Sequence, residues 1–188
     1  MPLYLHLSIH LFFAILAGLI IWLIYKKPII CLVGGVIGGF LIDFDHFIDY
    51  LIVFGFNFKF DYFFNGYQFL KSDKIYILFH GWEYVIILVI LGLILAKNKK
   101  IYPVASVSCA TEYPTTNHGY ATGATAFIFA LALGAFFHLA TDVVLNEGLT
   151  AKSYSIIFRA KNGFQMNNIV TPEHWKSHQL KKIEANFK

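Results

Sequence analysis

Asp43, Asp45, His46 and Asp49 fall within seven residues of an otherwise Gly-rich, apolar segment, GGVIGGFLIDFDHFIDY over 34–50. On insertion scales each carboxylate facing lipid at a bilayer centre costs about 2.5–3.5 kcal/mol. Such groups must line a polar cavity, pair with cations or bind metal; the plain alternative is a helix that ends at Asp43 with the acids in a loop. Three other places carry the same residue types. His6 and His10 are four apart and share a helix face, as do His138 and Asp142, while His80 and Glu83 are three apart. Imidazole and carboxylate together ligate zinc, manganese or iron, zinc first where nitrogen dominates. His10, Asp43, Asp45, His46, His80, His138 and Asp142 are therefore the candidate ligands of a divalent metal. His6, nearer the helix end, is expected at the membrane interface. A structural hydrogen bond between His80 and Glu83 is the plain alternative to chemistry by either. These groups exceed the needs of one tetrahedral ion. They suit two metals, or one metal whose ligands are held by further carboxylates.

The elements that must position them are apolar helices. The chain has 188 residues, 57% hydrophobic and 14% charged, with a mean hydropathy of +0.61, far above a soluble domain. Residues 3–25 form an almost unbroken apolar run that stops at Lys26-Lys27-Pro28, without the basic start and small-residue cleavage site of a signal peptide. Residues 29–42 lead into the acidic segment. Residues 75–96 stop at Lys97, and residues 120–145 make the last run. The fold expected is all-α, an integral membrane bundle of about four transmembrane helices over 1–145, followed by a short polar, basic C-terminal tail over 146–188. Small residues recur at four-residue spacing toward the candidate ligands: Ala14 and Gly18 beyond His10, Gly35 and Gly39 before Asp43, and Ala126, Ala130 and Gly134 before His138. Such stripes let helices approach closely in lipid.

The connections are less definite. Residues 54–73 read as an aromatic loop on the membrane surface, with Asp61 and Asp73 solvated. Residues 101–117, with two prolines, read as a connection next to an exposed His118. Thr171-Pro172-Glu173 has the form of a helix start. The helix it opens carries His174, Trp175 and His178, either a second metal site or an amphipathic interfacial helix. Cys31 and Cys109 are too few for a disulfide framework. There is no basic stripe interleaved with aromatics, so no nucleic-acid partner is expected.

Alternating helix directions place His10, the 43–46 group, His80 and the His138/Asp142 pair at one end of the bundle. Lys26, Lys27, Lys97, Lys99 and Lys100 mark the other end, which the positive-inside rule makes cytoplasmic. In a cytoplasmic (inner) membrane the site would then face outward. Lys59, Lys71, Lys74, Lys152, Arg159 and Lys161 share the site's side, so the basic count leaves orientation open.

The order of blocks IDFDH at 42–46, FHGWE at 79–83 and HLATD at 138–142, preceded by His10, resembles the YdjM-like membrane-bound metal-dependent hydrolases. Their pattern is in turn similar to that of zinc-dependent phospholipase C. The likeness extends over about residues 6–165. Ile42 stands where that family usually has Pro, and the 79–83 block has one His where many members have two. The resemblance implies metal-dependent hydrolysis of phosphoesters and leaves the substrate open. Metal held by the candidate ligands would activate water, with Glu83 or a non-ligating aspartate such as Asp43 accepting its proton. The substrate would be a lipid or membrane-adjacent ester. The competing reading is a transporter in which buried His and Asp pass protons or cations. A third is a structural protein with a buried polar knot.

Overall fold

The computed structural model describes residues 3–97 and 119–185, for 3 and 119–122 the backbone only. His118, Cys109 and the 101–117 connection lie outside the described residues. The protein is an all-α integral membrane bundle, and the described residues form no strand beyond one isolated bridge between Lys74 and Gln165. Four apolar helices make its frame: α1 (Leu3–Tyr25), α2 (Pro28–Gly39), α6 (Trp82–Lys97) and α7 (Gly119–Leu145). Helices α1 and α7 are each long and apolar enough to cross a membrane. Helix α2 and the segment Leu41–Phe54, apolar and long enough together for a third span, meet at a 45° bend. Helix α6 has 16 residues, about 24 Å at 1.5 Å per residue, so it is shorter than the expected 75–96 run. Residues 75–81 are not helical, because Ile75 and Ile77 are drawn into a separate core with the C-terminal tail.

Small residues seat α2 between α1 and α7, as the stripes require. A Cβ on Gly134 would lie 2.5 Å from the Gly35 carbonyl oxygen, and one on Gly39 would lie 2.8 Å from Ala14 Cβ. One on Gly35 would strike the Ala14 carbonyl, and one on Gly38 the Leu131 carbonyl. Ala14, Ala17, Ala126 and Ala130 are fully buried in this seam, while Leu23, Ile24, Ile86, Ile87 and Leu93 face outward, the lipid side of such a bundle.

The Gly38-Gly39 pair also ends α2. Paired glycines are a recognised cause of sharp helix breaks. Phe40 leaves helical geometry at φ −128°, and the 3₁₀ turn Leu41–Phe44 leads into α3 (Asp45–Phe54). Short helices α4 (Phe60–Phe64) and α5 (Tyr67–Ser72) follow, so the expected loop over 54–73 is a folded aromatic layer. Its centre is Tyr50, fully buried. The Tyr50 hydroxyl donates to the Asn57 carbonyl at 3.1 Å and accepts the Lys59 amide at 2.9 Å.

The tail is a second folded layer. Two 3₁₀ turns, α8 (Ile156–Lys161) and α9 (Pro172–Glu184) pack Met166, Ile169 and Val170 against Ile75 and Ile77. Thr171 caps α9 by accepting the His174 amide, and Pro172 fills the first turn. Asp73 is not solvated as the sequence suggested: it accepts from His178 Nε2 at 2.9 Å and pairs with Lys182. Burial pulls the Asp73 carboxyl upward, but the hydrogen bonds from Lys182 and His178 outweigh it and hold the group below the usual carboxylate range.

Candidate metal centre

Four elements deliver the polar cluster. Helix α1 brings His6 and His10, the bend after α2 brings Asp43 and Asp45, the irregular strap before α6 brings His80, and the last turns of α7 bring His138 and Asp142. His10, Asp45, His80, His138 and Asp142 are buried. The bend is essential. A straight continuation of α2 would carry Asp43 and Asp45 onward along the seam, whereas the 45° turn re-aims them at His80.

Two hydrogen bonds fix the imidazoles. His138 Nδ1 lies 3.0 Å from the Gly39 carbonyl, which can only accept, so Nδ1 carries the proton. The broken helix frees that carbonyl. His80 Nδ1 donates to Asp45 Oδ2 at 3.0 Å, and the same oxygen accepts the Phe79 amide at 2.6 Å. Both Nε2 atoms therefore present lone pairs, 3.0 Å apart. Two facing lone pairs repel and require a positive charge between them, an extra proton or a metal ion.

The oxygens around them fit the metal. Asp43 Oδ1 is 3.2 Å from His80 Nε2 and 3.4 Å from His138 Nε2, and Asp142 Oδ2 is 3.5 Å from each. An ion with bonds of about 2.0–2.1 Å has tetrahedral ligand atoms about 3.3 Å apart, and each of the two carboxylate oxygens stands near that distance from both Nε2 atoms. Asp43 Oδ2 and Asp142 Oδ1 are buried with no hydrogen-bond partner among the described residues, a state that ligation or substrate contact would relieve. His80, His138 and Asp142 thus form a group that fits a divalent ion, and Asp43 Oδ1 stands near ligand spacing from both imidazoles. Asp45 is not in it: its carboxylate orients His80 instead, the role carboxylates take behind metal-bound histidines.

The other expected residues divide. His10 lies beside the cluster, its ring stacked on His138 at 4.0 Å, and its Nε2 is 3.1 Å from Asp142 Oδ1. His46 is on the rim, with Nε2 3.6 Å from Asp43 Oδ1. Glu83 is corrected. Because α6 begins only at Trp82, His80 and Glu83 do not share a helix face and are not hydrogen-bonded to each other. The Glu83 carboxylate accepts from Ser155 Oγ at 2.5 Å and from the Ile156 and Ile157 amides at 3.1 and 3.2 Å. It caps the start of α8 and is not placed to serve as a base. His174 and His178 do not form a metal pair: His178 is engaged by Asp73.

Two further groups belong to the site. His6 was assigned to the interface, yet its Nε2 is 2.9 Å from His10 Nε2 and 3.5 Å from Asp142 Oδ1. The four-residue spacing to His10 was the available signal. Arg159, in α8, is fully buried and donates through Nη2 to the His80 carbonyl at 2.7 Å. That pins the strap from behind, and nothing in a basic tail marks one arginine as buried.

Two cavities meet at the cluster and share His6, Asp43, His46 and Phe69 as walls. The larger, about 560 Å³, runs under the tail past Asn146, Glu147, His174 and Lys181. The smaller, about 300 Å³, is walled by Leu7, Phe63 and Phe64. No protein-family model matches the chain, and no match was found among curated proteins or among solved structures.

Proposed function

We propose that this chain is a membrane-embedded, metal-dependent hydrolase, with zinc as the first candidate ion, acting on a phosphoester of a lipid or membrane-adjacent molecule in a cytoplasmic membrane. The observation that carries the reading is the gathering of His80, His138 and Asp142 into one buried group, with Asp43 beside both imidazoles, where two cavities meet. A bound divalent ion supplies Lewis acidity and an acidified water. The residues supply the rest. Asp43 Oδ2, buried and without a hydrogen-bond partner among the described residues, takes the proton of the attacking water. Lys181 and His174 offer positive charge and a donor to the anionic part of the substrate, while Leu7, Phe63 and Phe64 accept an apolar chain. Of the two bases expected, Glu83 and Asp43, it is Asp43 that keeps the role.

The transporter reading asks for a polar path across the bundle. Beyond His10 and before His138 the seam is closed by Ala14, Ala17, Ala126 and Ala130, all fully buried. That favours a reaction site at one end over a path. The test is elemental analysis of detergent-purified protein, followed by hydrolysis of a short-chain phospholipid and of p-nitrophenyl phosphate with and without chelator. Chelator-sensitive turnover restored by zinc is expected of the wild type, and Asp43→Asn should lose it together with bound zinc. A metal-loaded protein that hydrolyses neither ester but carries cations in proteoliposomes would establish the rival.

A further inference from the structure

Beside the His80/His138 set stands a second one that shares Asp142 with it. His6 Nε2, His10 Nε2 and Asp142 Oδ1 are 2.9, 3.1 and 3.5 Å from one another. These are again the edges of a tetrahedral face around a metal with bonds of about 2.0–2.1 Å. Asp142 Oδ1 lies 3.1 Å from His10 Nε2 yet off the line of a hydrogen bond, and it has no hydrogen-bond partner among the described residues. Contact distance without alignment is what ligand atoms show when they converge on a common point. Asp142 is buried, and its other oxygen faces His80 and His138. One carboxylate thus joins both sets, and the stacked rings of His10 and His138 hold them side by side.

Resting on the hydrolase reading, we infer that the centre is dinuclear: His6, His10 and Asp142 Oδ1 bind a second divalent cation, bridged to the first by the Asp142 carboxylate. Paired ions of this kind clamp the attacking and leaving oxygens of phosphoester displacements. The two positions differ. The first joins two buried imidazoles to carboxylate oxygens, while the second has three donors and keeps a fourth place free for water or substrate. His6 lines both cavities, so the free place lies on the side from which substrate enters.

The test is zinc stoichiometry by mass spectrometry on full-length protein in detergent, with electron paramagnetic resonance of protein loaded with manganese alone. Wild type should hold two ions per chain and give a spin-coupled signal. His6→Ala, at a half-buried position, should hold one and give an isolated-ion signal; His6→Gln should do the same. One ion per wild-type chain, an uncoupled wild-type spectrum, or two ions retained in His6→Ala would overturn the second site and leave the first standing. No bound ion at all would overturn the hydrolase reading with it.

Discussion

Asp43 and Asp45 are separated by one residue and serve different ends. Asp43 offers one oxygen to the cluster and keeps the other bare, while Asp45 spends an oxygen on His80 Nδ1 and the Phe79 amide. Asp43→Asn should therefore abolish stoichiometric zinc at the His80/His138 position. Asp45→Asn should leave the site loadable but weaken it about 10–100-fold, the usual cost of losing a carboxylate behind a metal-bound histidine. Competition with a fluorescent chelator measures both, and equal losses would return Asp45 to the ligand set. Glu83→Gln separates capping from catalysis. The amide still accepts but loses its charge, so the α8 segment should be destabilised by about 1–2 kcal/mol. Faster proteolysis of residues 146–170 with unchanged zinc content is the expected result.

Helix α2 is the element on which the site depends, because it is clamped by backbone-to-backbone approach and then breaks where its glycines end. Gly134→Ala places a methyl against the Gly35 carbonyl and should cost about 1–3 kcal/mol by overpacking, with loss of metal affinity as the Gly39 carbonyl moves away from His138. Gly123→Ala, whose Cβ meets only the flexible end of Ile30 at 3.3 Å, should be close to neutral. Thermal melting in detergent compares the two. A different element, α9, is pinned by Asp73. Its carboxyl is depressed in the folded chain, so the pairing with Lys182 and His178 contributes above the unfolded aspartate pKa of about 3.9 and is lost as pH falls through the lower folded value. Protection of α9 from an acid-active protease should therefore fall on acidification, and Asp73→Asn should remove that pH dependence.

For the molecule as a whole, the cluster and the folded tail share one end, while Lys26 and Lys27 lie beyond the other end of α1 and Lys97 is the last residue of α6. In a chain with Cys31 and Cys109 replaced by alanine, single cysteines at Lys27 and Lys181 should label with impermeant reagent from opposite sides of sealed vesicles. Labelling from one side would mean that the bundle does not span. The outward-exposed Leu and Ile of α1 and α6 and the sealed alanine seam leave the polar machinery at a single face. Two cavities open at that face, one lined by Phe63 and Phe64 and one by Lys181.

Hydropathy and spacing determine much of this protein. Apolar runs of bilayer length force helices, small residues every four positions specify which faces meet, and alternating direction puts His10, Asp43, His80 and His138 at one end. Each of these follows from local periodicity, which a sequence carries directly. Tertiary structure decided the rest. Whether Asp45 ligates or orients depends on a 45° break between α2 and the segment after it. Whether Glu83 sees the cluster depends on where α6 starts, and Ile75 and Ile77 withdraw the preceding residues into the core of the tail. His6 joins the cluster only because α7 brings Asp142 to it, and Arg159 is buried only because α8 docks behind His80. These outcomes rest on contacts between residues up to 136 positions apart, and such contacts leave no period in the chain to read.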